Sequence, residues 1–182
     1  MKTKTKVCFR NRPKEMSADD VKKMLKEKDF FDVYYNGKGR GFENQFQEMM
    51  LKGEKVIIDQ ASGLMWQQSG SDASIIFEAA EVYIKELNKQ QFAGFNDWRL
   101  PTLEEAMSLM EPKKHLSGLY IDKRFDSKQK WIWTSDSVKG ESWEWVVLFN
   151  GGYCYGYQFS LSGYHVRALR SEQSSGGGIR LI

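Results

Sequence analysis

The chain is poor in the residues that carry most protein chemistry. Its 182 residues include two cysteines and two histidines. Cys8 and Cys154 lie far apart in sequence, so a disulfide-built scaffold is excluded; one bridge between them stays open, and free thiols in a reducing compartment are the expectation. His115 and His165 stand in no recognisable ligand spacing, so no metal and no cofactor are expected. No apolar run approaches the length of a membrane span. The basic start Met1–Lys6 leads into no apolar segment, which argues against a secretory leader. A net charge of +3 is too small to argue for a nucleic-acid partner.

That small charge is unevenly spread. Residues 1–55 hold 14 Lys/Arg against 9 Asp/Glu, and the remainder holds 13 against 15. The early cations are interleaved with acids, which reads as a solvated extension rather than a basic arm for an anionic partner. Ser17-Ala18-Asp19-Asp20 predicts a helix start running through Val21, Met24 and Leu25. Gly37, Gly39 and Gly41 lack the strand and long helix that a phosphate loop requires, and are read as a loop. The expected organisation is a helical arm over 1–55, packed on a main domain over 56–182.

The main domain carries ordered motifs. Val56-Ile57-Ile58 and Leu64-Met65-Trp66 flank Ala61-Ser62-Gly63, which predicts a hairpin. Ile76, Ala80, Tyr83, Ile84 and Leu87 recur at helical spacing. In Trp98-Arg99-Leu100-Pro101-Thr102-Leu103-Glu104-Glu105, the proline biases Leu100 toward extended backbone, and Thr102 with Glu105 forms a capping box. The helix beyond it should present Leu103, Ala106, Met107 and Met110 on one stripe. Trp131-Ile132-Trp133, Trp143–Phe149 and Tyr164-His165-Val166-Arg167-Ala168-Leu169-Arg170 complete the series.

In that order, over about residues 56–171, these segments resemble the Legionella collagen-like protein C-terminal domain family. The resemblance implies an α+β, C-type lectin-like fold: two helices packed on a small twisted antiparallel sheet, with an irregular ligand-facing surface. It implies no enzyme activity, because fold alone does not fix function. Relatives of that fold include formylglycine-generating enzymes, which need closely placed cysteines, and iron-dependent sulfoxide synthases, which need a histidine cluster; this chain offers neither. No nucleophile elbow is present. Calcium-dependent sugar binding is also disfavoured, since Glu111-Pro112-Lys113 puts a cation where a calcium ligand would be needed. Such domains also occur fused to kinases, so a regulatory sensor module is the alternative to a ligand-binding one.

Aromatic residues carry what remains. Trp143, Trp145, Val147 and Phe149 alternate with Glu144, Val146 and Leu148, so one face of that strand is aromatic and is read as core. Beyond Asn150, Tyr153, Tyr155, Tyr157 and Phe159 would share one face of a strand, followed by Ser160, Ser162, Tyr164 and His165. A Tyr, Ser, Gly and Asn mixture suits a recognition surface, because tyrosine offers large amphipathic contact at low entropic cost. Core packing with hydroxyls at the rim would yield the same alternation. The candidate ligand-binding set is Trp143, Asn150, Tyr153, Tyr155, Tyr157, Ser160, Ser162, Tyr164 and His165, facing a macromolecular partner, expected to be a protein. This segment also resembles the C-terminal region of variable proteins of diversity-generating retroelements, in which adenine-directed mutagenesis of Asn codons yields this residue set. That resemblance implies a receptor-binding role and a cytoplasmic or virion-associated location.

Overall fold

The computed structural model describes residues 6–158 and 163–171. Two four-stranded sheets frame it, with strand orders β1-β5-β6-β7 and β2-β3-β4-β8. In chain order the elements are β1 (Glu15–Met16), α1 (Ala18–Glu27), β2 (Phe46–Leu51), β3 (Glu54–Asp59), β4 (Leu64–Gln67), α2 (Phe77–Lys89), α3 (Leu103–Met107), β5 (Trp131–Val138), β6 (Trp143–Leu148), β7 (Tyr153–Gln158) and β8 (Leu169–Ser171). One 3-10 turn, Phe92–Gly94, follows α2. Pairings between these strands are antiparallel except that of β1 with β5, which is parallel.

The mixed helix-and-sheet class agrees with expectation, and its three helices are the two of the main domain and the one of the N-terminal arm. Two sheets stand where one was expected. The first 55 residues contribute to both. They supply α1, the two-residue strand β1 that borders β5, and β2, which pairs with β3. A parallel edge strand of two residues has no periodicity to announce it.

Local chemistry explains most boundaries. Ser17 caps α1, its hydroxyl accepting from the Asp20 N–H while the Asp20 carboxylate accepts from the Ser17 N–H, and Val21, Met24 and Leu25 face the core. The turn from β3 to β4 places Gly63 at φ +73°. α2 buries Ala80 and Leu87 and leaves Tyr83 and Ile84 half-buried, whereas Ile76 is its exposed N-cap. Asn88 at its end clasps Trp98, accepting from the Trp98 N–H and donating to its carbonyl, both at 2.8 Å. Trp98 donates its indole N–H to the Phe92 carbonyl at 2.9 Å.

Thr102 caps α3 by the reciprocal bonds expected of it. The helix then stops at Met107, sooner than the Leu103–Met110 stripe suggested. Leu109 and Met110 donate to carbonyls three residues back, a tighter turn that still buries Met110. α3 has no solvent face, because even Glu104 and Glu105 are buried. Glu105 is held by Arg99 at 2.6 and 2.7 Å. The closing segment is pinned by its arginines. Arg170 is paired with Asp97 at 2.6 Å and lies over the Phe95 ring, while buried Arg167 donates to the carbonyls of Ser69 and Asp126.

Two apolar clusters lie on opposite sides of the β5-β6-β7 sheet. One gathers Trp66, Leu103, Ile132, Trp145, Val147, Phe149 and Cys154, and the other Trp98, Trp133, Val146 and Val166 with Ala80 of α2. The aromatic face of β6 is core as expected, but its other face is covered too, with Val146 fully buried. β6 is an interior strand with a packed layer on each side, so alternation could show only which residues share a face.

Candidate binding surface

The hairpin β6–β7 sorts its residues into two faces by register. Directly opposed residues lie on the same side of a sheet. Leu148 faces Tyr153, Val146 faces Tyr155 and Glu144 faces Tyr157. Across β5, Trp131 faces Leu148 and Trp133 faces Val146. One side of the sheet therefore carries Trp131, Trp133, Glu144, Tyr153, Tyr155 and Tyr157. The other carries Trp143, Trp145, Val147, Cys154 and Gly156. Cys154 is buried, and burial followed by the nearby Asp32 carboxylate pushes its thiol well above the ordinary range; both cysteines are free.

Tyr164 joins the tyrosine side from outside the hairpin. It exchanges backbone hydrogen bonds with Ile75 at 2.9 and 3.1 Å, and its ring meets Trp133, Tyr157 and Trp131 edge-on at 4.9, 4.8 and 6.4 Å. Gly163 makes that approach feasible, since a Cβ there would lie 2.3 Å from the Ile75 carbonyl carbon. Trp133 is fixed beneath, its indole N–H donating to the Ile75 carbonyl at 2.8 Å and Phe77 of α2 against its ring. Burial, then the neighbouring phenols of Tyr157, Tyr153 and Tyr155, push the Tyr164 hydroxyl far above its ordinary range. Four phenols thus gather on one face. Tyr155 is the most open of the three in β7, at 54% exposure.

The other candidates are placed differently. Trp143 is half-buried on the opposite side of the hairpin, away from the tyrosines. Asn150 occupies the β6–β7 turn, with its side-chain oxygen buried and unbonded. His165 is buried; its Nδ1 lies 3.0 Å from the Ser71 carbonyl oxygen, and its backbone pairs with β5. Ser160 and Ser162 fall outside the described residues.

Two participants were missed in the sequence. Tyr34 reaches the surface from the N-terminal region, its ring edge-on to Tyr153 at 5.0 Å. It is 72% exposed, and its loop docks through Val33 N–H to the Gly152 carbonyl and through Asp32, which accepts from the Cys154 N–H. The only cue was Asp32 ahead of Tyr34 and Tyr35, whose N–H groups it caps. Glu144 is the second. Burial, then Asp136 and Glu81, push its carboxyl up to about 7.

Among the described residues, no three His, Cys, Asp or Glu side chains stand close enough to hold a metal. No described helix is long and apolar enough to cross a membrane. A cleft of about 400 Å³ lies elsewhere, lined by residues such as Met49, Met50, Lys55 and Lys123, and none of the tyrosines borders it.

The Lcl C-terminal domain model matches residues 55–170, more than half of the chain. The chain belongs to that family. No curated protein and no solved structure matches it. The matched span opens inside β3 and ends in β8, so it takes in the Tyr153–Tyr157 strand and Tyr164 and leaves out α1, β2 and Tyr34. The Lcl C-terminal domain is not a known enzyme family.

Proposed function

We propose that this chain is a non-enzymatic recognition domain of C-type lectin-like architecture whose tyrosine face docks a protein ligand. The carrying observation is the convergence of Tyr153, Tyr155, Tyr157 and Tyr164 on one side of the hairpin. Rigid aromatic rings braced from behind by Trp133 lose little entropy on binding. Tyr34 and Asn150 border the face. Trp143 and His165 serve it indirectly, as supports of the hairpin and of the Tyr164 segment.

A phage-displayed random peptide library tests this reading. Most selected binders should lose about tenfold in affinity when Tyr155 or Tyr157 becomes Ala. Binders that map elsewhere and ignore both changes would sink the reading.

The same surface suits diversification by a retroelement. The segment from Asn150 to His165 is rich in residues reachable from Asn codons through adenine changes. Tyr153, Tyr155 and Tyr157 could vary at little cost to the fold, whereas Cys154 and Gly156, on the packed side, could not. A near-copy of the 3′ end of the gene differing only at adenines, beside a reverse transcriptase, is the expected genomic signature. A neighbourhood without either removes this extension and leaves the binding reading in place.

A further inference from the structure

We propose that the tyrosine face seats a cationic side chain, arginine or lysine, presented by the protein ligand and held between the Tyr155 and Tyr157 rings and the Glu144 carboxylate. This rests on the binding reading above and names the chemistry of the partner.

The argument starts from register. Glu144 lies directly opposite Tyr157, and the next pair on the same face is Val146 with Tyr155. Opposed side chains leave a sheet with their Cβ atoms about 5 Å apart, so the carboxylate and two rings border one small area. Tyr155 is open to solvent there. Glu144 itself is half-buried, and among the described residues no ion pair or hydrogen bond compensates it. The charges that act on it are both negative: Asp136 of β5 and Glu81 of α2.

A half-buried carboxylate without a countercharge beside it is costly in the free protein. A cation delivered by a partner removes that cost. The ring faces favour the same sign, because their quadrupoles present negative charge to a guanidinium or ammonium group. An anionic partner would meet Glu144 and Glu81 as repulsion, and a purely apolar one would bury the carboxylate without compensation. Arginine fits best, since its planar group can stack on a ring while donating to the carboxylate.

The test uses the full chain with two capped tripeptides, acetyl-Gly-Arg-Gly-amide and its neutral citrulline counterpart, titrated at pH 8. Ring signals of labelled tyrosines report the contact by NMR. The arginine peptide should shift the Tyr155 and Tyr157 signals and bind about fivefold more tightly than the citrulline peptide. Glu144→Gln should bring the two peptides level, while Glu141→Gln, at an exposed position in the β5–β6 turn, should leave the difference intact. A single cooperative melt at or above the parent's melting temperature establishes that E144Q is folded. Equal responses to the two peptides, no response to either, or an arginine preference that survives E144Q each overturn the cation seat. Those outcomes leave the tyrosine face standing, because its own test is the loss of library binders on Tyr155→Ala or Tyr157→Ala.

Discussion

The two sides of the β6–β7 hairpin are built from alternate residues of the same two short strands, yet they meet opposite demands. On one side Trp145, Val147, Phe149 and Cys154 are buried at 3% exposure or less. On the other, Trp133 and Val146 are buried beside α2, but Tyr155 is 54% exposed and Glu144 is half-buried. The packed side holds the hairpin in place by apolar burial. The tyrosine side keeps at the surface what a core would consume: the Tyr155 ring and the Glu144 carboxylate. A period of two therefore separates stability from recognition within a dozen residues.

The largest effect should come from cutting into the packed side. Trp145→Ala removes a buried ring and the indole N–H that donates to the Met16 carbonyl at 3.1 Å, which ties β6 to β1. The expected loss is about 3–5 kcal/mol in urea unfolding. A loss under about 1 kcal/mol would show that the two sides do not differ as described.

Gly156→Ala probes the same side by crowding. A Cβ at Gly156 would sit 2.7 Å from a Val138 methyl carbon, so Val138 must shift or the strand must bend. The expected cost is about 1–2 kcal/mol, read from the same denaturation curves. A neutral or stabilising result would mean that Val138 has room to yield.

How far these two sides could be read from the chain differs as well. Alternation in Trp143–Phe149 and Tyr153–Tyr157 was enough to sort residues by face. The caps at Ser17 and Thr102 and the Ala61–Gly63 turn followed from local rules as well. What lay beyond reach depended on distant partners. Tyr34 belongs to the surface only because Asp32 and Val33 dock on the start of β7, across more than 110 residues of chain. The proton affinity of Glu144 arises from its burial and then from Asp136 on β5 and Glu81 on α2, which no local pattern brings to it. The early stop of α3 reflects burial on every side, which defeats a stripe-based reading.

Glu144 sharpens the comparison through pH. The folded chain keeps its proton up to about pH 7, whereas the ordinary value is 4.5. Between those values the native state binds more protons than the unfolded one, so this group's contribution to stability is present below pH 4.5 and lost as pH rises through 7. Glu144→Gln should therefore match the parent at pH 4 and exceed it by about 1 kcal/mol at pH 8, a figure reduced for the half-exposed position. A variant no more stable than the parent at pH 8 would show that the carboxylate is better compensated than the structure indicates.

The smallest effect is the most discriminating. Tyr155→Ala removes a ring that is 54% exposed and pairs only with Val146 across the strands. Its stability cost should stay below about 0.5 kcal/mol, the range of surface positions, with no change in the slope of the denaturation curve. The contrast with Trp145→Ala is the point, because the two residues lie on neighbouring strands and differ chiefly in the side they face. If Tyr155→Ala instead costs as much as a core truncation, the tyrosine side is a second packed layer, and recognition must be sought elsewhere on the molecule.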